Sequence, residues 1–147
     1  MEEYITHSRD ETVALGRRLA AELTPGSLIA FTGGLGAGKT AFCQGIAEGL
    51  GCTDPVSSPT FAIVNYYRGP RPFAHFDLYR IHTEVDLSAA GFYDYLEFDF
   101  HSRKGKPVNA LFTVLIRWAR VLLQHFFQCL PAVRRNFFQQ LVRNFNA

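Results

Sequence analysis

The sequence predicts an α/β fold, a mixed β-sheet flanked by helices and followed by an atypical amphipathic helical C-terminal segment. Three observations predict it. An apolar run, Leu28-Ile29-Ala30-Phe31, leads through a glycine-rich octapeptide into a helix-like stretch from Ala41 to Leu50. Two β-rich segments, Phe61 to Tyr67 and Pro72 to Tyr79, flank Arg68-Gly69-Pro70-Arg71, which has hairpin-loop length and turn chemistry, so an antiparallel pair should join parallel neighbours. Composition then breaks near Glu97: seven Lys/Arg stand against twelve Asp/Glu up to that point (net −5), and eight against one after it (net +7). The break divides the chain into residues 1–97, the part that carries the octapeptide, and 98–147, a basic, Phe-rich helical tail.

The whole chain, 147 residues with 48% apolar content, suits a globular domain large enough for a real core. Cys43, Cys52 and Cys129 are odd in number and widely spaced, without metal-type pairing, and read as reduced thiols. No apolar h-region follows Met1-Glu2-Glu3, so a cytoplasmic location is expected.

In order along the chain, Ser8-Arg9-Asp10-Glu11 fits a capping box ahead of an apolar stripe formed by Val13, Leu15, Leu19, Ala20 and Leu23. Pro25-Gly26 ends that helix, and Ser27 to Thr32 reads as a buried central strand. The octapeptide Gly33-Gly34-Leu35-Gly36-Ala37-Gly38-Lys39-Thr40 matches G-x-x-x-x-G-K-[ST], the phosphate-binding loop, in the strand-to-helix context that the motif requires. Glycine allows a tight turn and close approach to an anion, so the amides of this loop, with those at the start of the next helix at Ala41, can surround a phosphate. Lys39 would reach the β and γ phosphates, and the Thr40 hydroxyl would ligate Mg²⁺. Phe42, Ile46, Ala47 and Leu50 face the core, and Gly49 and Gly51 close the helix.

Val56-Ser57-Ser58-Pro59-Thr60-Phe61 is either a surface turn or a segment that returns toward the loop. In the second β-rich segment His75, Asp77 and Tyr79 share one face by the two-residue period. Asp77 is either a turn former or a strand-end carboxylate of the kind that holds Mg²⁺ beside a phosphate loop. Glu84 to Ala90 forms a short helix ended by Gly91.

Beyond Glu97, the polar positions Asn109, Thr113, Arg117, Arg120, Gln124 and Gln128 trace a narrow stripe on an otherwise apolar stretch, the pattern of a helix, and Pro131 interrupts it. Val133, Phe137, Phe138, Leu141, Val142 and Phe145 make a second amphipathic helix. Arg117 and Arg120, at about 2.5 to 3.5 kcal/mol each in a bilayer centre, argue against a membrane span. Self-association through the tail and packing on the sheet both fit its phenylalanines. Direct RNA binding has weaker support, because the aromatic residues do not alternate with the basic ones.

Four segments together, GGLGAGKT (33 to 40), SSPTF (57 to 61), HFDLYR (75 to 80) and GFYDYL (91 to 96), resemble the TsaE (YjeE) family over roughly residues 4 to 97. That family is a small bacterial ATPase in the making of threonylcarbamoyladenosine in tRNA, at position 37. The resemblance implies a phosphate-loop mixed-sheet fold, slow hydrolysis of ATP with Mg²⁺, and service to TsaD and TsaB-like proteins. By matched position, Lys39 and the loop from Gly33 to Ala41 would hold the nucleotide, Thr40 and Asp77 would hold the metal, and Thr60 would be a switch residue near the γ phosphate. The segment containing Asp10 and Thr12 would lie near the nucleotide. Two departures accompany the resemblance. Gly34 stands where the family usually has aspartate, and Ile116-Arg117-Trp118 stands in place of a strand ending in Glu-Trp. The closing strands of the family are not read after it. The alternatives to an ATPase are a non-catalytic nucleotide-dependent regulatory module and a small-molecule kinase whose lid would be Arg103 to Lys106.

Overall fold

The computed structural model describes residues 3–24, 27–60, 62–92, 111–115 and 142–144. Helix α1 (Arg9–Ala20) begins at the expected cap, where Ser8 Oγ accepts the Glu11 N–H at 3.2 Å. The Glu11 carboxylate reaches back one residue further than a capping box requires and accepts the His7 N–H at 2.8 Å. Strand β1 (Leu28–Thr32) runs into the glycine loop, and α2 (Lys39–Gly49) follows it. The end of α2 is a Schellman motif: the Gly51 N–H donates to Glu48 O at 3.1 Å and the Cys52 N–H to Ala47 O at 2.9 Å.

The expected hairpin is present as β2 (Val64–Tyr67) and β3 (Phe73–Asp77), antiparallel, with Val64 opposite Phe76 and Tyr67 opposite Phe73. Both strands are shorter than the β-rich segments that contain them. Before β2 the chain turns, and the Ile63 N–H donates to Pro59 O at 2.7 Å. After Asp77 the strand has ended, so exposed Tyr79 does not continue the face shared by His75 and Asp77. Helix α3 (Glu84–Ala89) carries a reciprocal cap: Thr83 Oγ1 accepts the Asp86 N–H at 3.1 Å, and the Asp86 carboxylate accepts the Thr83 N–H at 2.9 Å.

The segment after residue 97 corrects the expectation of helices. Leu111–Leu115 is a strand, β4, and Val142–Asn144 is another, β5. The sheet order is β2-β3-β4-β1-β5, with β4 parallel to both β1 and β3 and β5 parallel to β1. The polar stripe through Asn109 and Thr113 is compatible with a helix, but a short apolar run cannot be assigned by periodicity alone. What decides is the sheet, since β1 and β3 need a shared neighbour to satisfy their facing backbone groups. The sheet thus has a strand, β4, leading into Ile116-Arg117-Trp118, and a closing strand, β5, after it, where none was expected. The remainder of the two helices drawn through 109–128 and 133–145 lies outside the described residues, and residue 97 is kept as a compositional boundary.

The core lies between one face of the sheet and the α1–α2 pair, with Leu19, Ile29, Phe31, Phe42, Ile46 and Phe73 at its centre. The helices meet backbone to backbone: a Cβ on Gly45 would sit 2.0 Å from Val13 O, and one on Gly16 would sit 2.3 Å from Phe42 O. Only glycine permits that approach. Arg71, read from sequence as a turn residue, joins the far ends of both helices. Its guanidinium donates to Ala20 O at 3.0 Å and to Gly49 O at 2.8 Å, the last residues of α1 and α2, where a cation also complements the helix dipoles. On the other face Phe76 meets Phe92 edge to face at 4.9 Å. Among the described residues no helix is long and apolar enough to cross a membrane.

Candidate functional site

The loop from Gly33 to Thr40 joins the carboxyl end of β1 to the amino end of α2, so its amides stand at the positive end of a helix dipole. Gly38 caps α2 in the left-handed region (φ 80°), and Gly36 has φ 82°; both angles would strain an L side chain. The tip is Leu35, 90% exposed. Lys39 is buried, and its ammonium donates to Gly33 O at 2.9 Å and Gly34 O at 2.6 Å, which holds the cation over the loop. Thr40 lies half-buried in the first turn of α2, next to Ala41. A Cβ built on Gly34 meets nothing within 4 Å, so the cradle has room for a side chain there although this sequence supplies none.

Of the two N-terminal candidates, the structure brings one to the loop. Thr12 is buried, with its Cγ2 3.4 Å from the place a Cβ on Gly38 would occupy, and its hydroxyl bonds Ser8 O at 3.0 Å and Thr6 Oγ1 at 2.8 Å. Asp10 is exposed in the first turn of α1, and among the described residues no hydrogen bond or ion pair joins it to the loop.

Asp77 ends β3 at the same edge of the sheet. In register, Asp77 faces Leu115 of β4, and Leu115 faces Phe31 of β1, two residues before Gly33. Two strand spacings, about 10 Å, therefore separate the Asp77 backbone from that of β1. Crevices outside the carboxyl ends of parallel strands are where ligands bind in open α/β sheets. The segment 57–60 does return to this edge. Thr60 Oγ1 donates to Asp77 Oδ2 at 3.0 Å, Ser58 Oγ lies 3.1 Å from the same oxygen, and the two hydroxyls are 2.8 Å apart. The other carboxylate oxygen accepts the Tyr79 N–H at 3.1 Å, and the Asp77 N–H donates to Ile63 O at 2.9 Å. Ile63 itself has φ 67°, a strained value for a β-branched residue. Ser58 and Ile63 are participants that the sequence reading missed. The hydroxyl spacing in Ser58-Pro59-Thr60 was the available signal, since residues two apart in an extended segment share a side.

Behind Asp77, His75 is fully buried and stacks on Phe73 with ring centroids 6.3 Å apart. Neither ring nitrogen has a hydrogen-bond partner among the described residues. Burial pushes its pKa down to about 4, with the Asp77 charge and the nearby Ser57 backbone pulling the other way, so the ring is neutral. Burial likewise pushes the Cys43 thiol, in the core face of α2, well above the ordinary range, which makes it inert.

Among the described residues no three His, Cys, Asp or Glu side chains cluster as a self-sufficient metal cage. A hydroxyl and a carboxylate, Thr40 and Asp77, are instead the hard oxygen donors that suit Mg²⁺ completing its shell with phosphates and water. This loop on this sheet defines a phosphate-loop α/β protein.

The family of threonylcarbamoyl adenosine biosynthesis protein TsaE matches residues 6–126, and the chain belongs to that family. The match passes residue 97, where the motif resemblance ended, and takes in β4 and Ile116-Arg117-Trp118. Relatives described as tRNA threonylcarbamoyladenosine biosynthesis protein TsaE include one from Synechocystis, 46% identical over 55% of this chain and 52% of the relative, and one from Bacillus subtilis with the same identity and coverage. These alignments thus span about half the length of the curated relatives. The crystal structure of Bacillus subtilis YdiB superposes with a TM-score of 0.53 and 32% identity, covering 81% of this chain and 65% of the other.

Proposed function

We propose that this chain binds and hydrolyses ATP with Mg²⁺ in the cytoplasm and serves threonylcarbamoyladenosine modification of tRNA at position 37, with TsaD and TsaB-like proteins as partners. The observation that carries the nucleotide reading is the loop itself, set between β1 and α2 with Gly36 and Gly38 at positive φ and Lys39 above it.

In this reading the amides from Gly33 to Ala41 surround the phosphates, and the Lys39 ammonium exchanges its two loop carbonyls for phosphate oxygens. Thr40 and Asp77 would hold the metal, and Thr12 supports the loop from α1. Mg²⁺ would supply neutralisation of charge on the β and γ oxygens. Transfer of the γ-phosphoryl group to water is then promoted chiefly by positioning and electrostatics.

One observation favours a second reading, a non-catalytic module whose nucleotide state regulates a partner. Arg117 stands two residues past β4, where the resembling family carries the glutamate of Glu-Trp, and a cation cannot replace a carboxylate beside a metal. Single-turnover hydrolysis with nucleotide binding measured in parallel separates the two. Binding with hydrolysis supports the ATPase, binding without hydrolysis selects the module, and absence of binding overturns both.

A further inference from the structure

The β2–β3 ladder stops one bond short of a pair that its register already sets up. Continuing from Val64 opposite Phe76 places Ile63 opposite Asp77, and in an antiparallel sheet a hydrogen-bonded pair exchanges two bonds. One of them is made, since the Asp77 N–H donates to Ile63 O at 2.9 Å. The other is not. The Ile63 N–H, which a continued strand would give to Asp77 O, donates instead to Pro59 O at 2.7 Å, and Ile63 stands at φ 67°. An antiparallel strand has φ of about −140°. Positive φ is costly for a β-branched residue and persists only where surrounding bonds over-determine it. Ile63 thus has two ways to satisfy its N–H, one strained and one relaxed.

The strained choice is tied to the Asp77 side chain. With the turn closed, Ser58 Oγ and Thr60 Oγ1 both donate to Asp77 Oδ2, at 3.1 and 3.0 Å. Both hydroxyl protons are then used, so the 2.8 Å approach of the two hydroxyl oxygens has no proton of its own. The start of this stretch is fixed to β2: the Tyr67 hydroxyl accepts the Ser57 N–H at 3.2 Å and donates to Ser57 O at 3.0 Å, and Asn65 Nδ2 donates to the same carbonyl at 3.1 Å. The freedom lies at Ile63. We propose that Ile63 is the hinge of a two-position device: at positive φ it holds the Ser58 and Thr60 hydroxyls on Asp77 Oδ2, and at extended φ its N–H joins the ladder and that oxygen is bared. The Ile63 N–H has one backbone acceptor in either position, so the balance is backbone strain against two hydroxyl–carboxylate bonds that water can replace. Positions separated by a few such opposing terms leave the minor one populated at about 0.1 to 10%. Asp77 is the carboxylate given to the metal in the nucleotide reading, but the device does not rest on that reading.

The test is NMR of the isotope-labelled full chain without nucleotide or metal. Ser58→Ala combined with Thr60→Val removes both donors to Asp77, so the Cα and Cβ chemical shifts of Ile63 should move from those of a left-handed residue to those of a strand. In the wild type, relaxation dispersion should appear at the Ser58, Thr60 and Ile63 amides. Ile63→Gly removes the Cβ that makes positive φ costly, so it should hold the turn closed and abolish that dispersion. Ile63→Val, as β-branched as the native residue, should keep it. A double variant whose Ile63 shifts stay at left-handed values overturns the proposal. So does dispersion that is absent from the wild type, unchanged in Ile63→Gly, or lost equally in Ile63→Val. These readouts need no nucleotide, so their failure leaves the nucleotide reading standing, and failure of that reading leaves the device standing.

Discussion

The phosphate loop and the Ser58–Thr60–Asp77 cluster lie at the same edge of the sheet, yet they are held in different ways. The loop is eight consecutive residues whose shape comes from backbone angles at Gly36 and Gly38 and from the helix it starts. The cluster gathers residues 58, 60, 63 and 77 through side-chain and backbone hydrogen bonds across a turn and a strand end. A cradle fixed by covalent geometry has one arrangement, whereas hydroxyls on a carboxylate can exchange partners at modest cost. The first suits holding an anion, and the second suits responding to one.

The two regions also rest on different foundations, and the largest expected effect comes from beneath the cluster. His75 has its pKa lowered to about 4 from 6.5, so the unfolded chain binds the extra proton first as pH falls. Stability present above pH 6.5 should therefore be lost as pH drops to about 4, by roughly 3 kcal/mol in all. Denaturant melts of the metal-free protein across that window would show the slope, and His75→Phe should flatten it. Beneath the loop the foundation is the α1–α2 contact, where Gly45→Ala forces a methyl against Val13 O and should cost about 2 to 3 kcal/mol of stability in the same melts.

Smaller effects separate the two regions by ligand. Lys39→Ala removes a charge-assisted phosphate contact worth about 1.5 to 3 kcal/mol, so triphosphate affinity should fall at least tenfold by calorimetry while circular dichroism is unchanged. That loss should be similar with and without Mg²⁺. Asp77→Asn should instead weaken Mg²⁺-dependent binding by about tenfold and metal-free binding much less, because an amide oxygen is a poorer ligand for a hard cation. Equal losses for Asp77→Asn with and without metal would make Asp77 a structural residue and remove the distinction between loop and cluster.

What could be read in the sequence follows the same line between local and assembled. The Ser8 cap, the loop and the β2–β3 hairpin depend on neighbours in the chain, and their residue types announce them. Arg71 looked like turn chemistry because nothing local reveals that its guanidinium meets carbonyls of Ala20 and Gly49. The hydrogen bonds from Ser58 and Thr60 to Asp77 join positions far apart in the chain, beside a positive φ at Ile63 that no propensity favours. Leu111–Leu115 differs from the expected helix because a run so short and apolar carries no decisive period, and the choice is made by β1 and β3, far away in sequence.

That distance has a consequence for how the molecule is made. Leu28 pairs with Phe112 and Ala30 with Val142, so β1 has no neighbour in the sheet until the last quarter of the chain is synthesised. The α1–α2 pair and the β2–β3 hairpin have partners close by and can form as the chain emerges. The central parallel pairings cannot, and non-local pairing of this kind is slow and leaves strand edges open while it waits. A nascent chain ending before residue 111 would already carry every residue of the phosphate loop, with β1 and β3 still lacking the strand that sits between them.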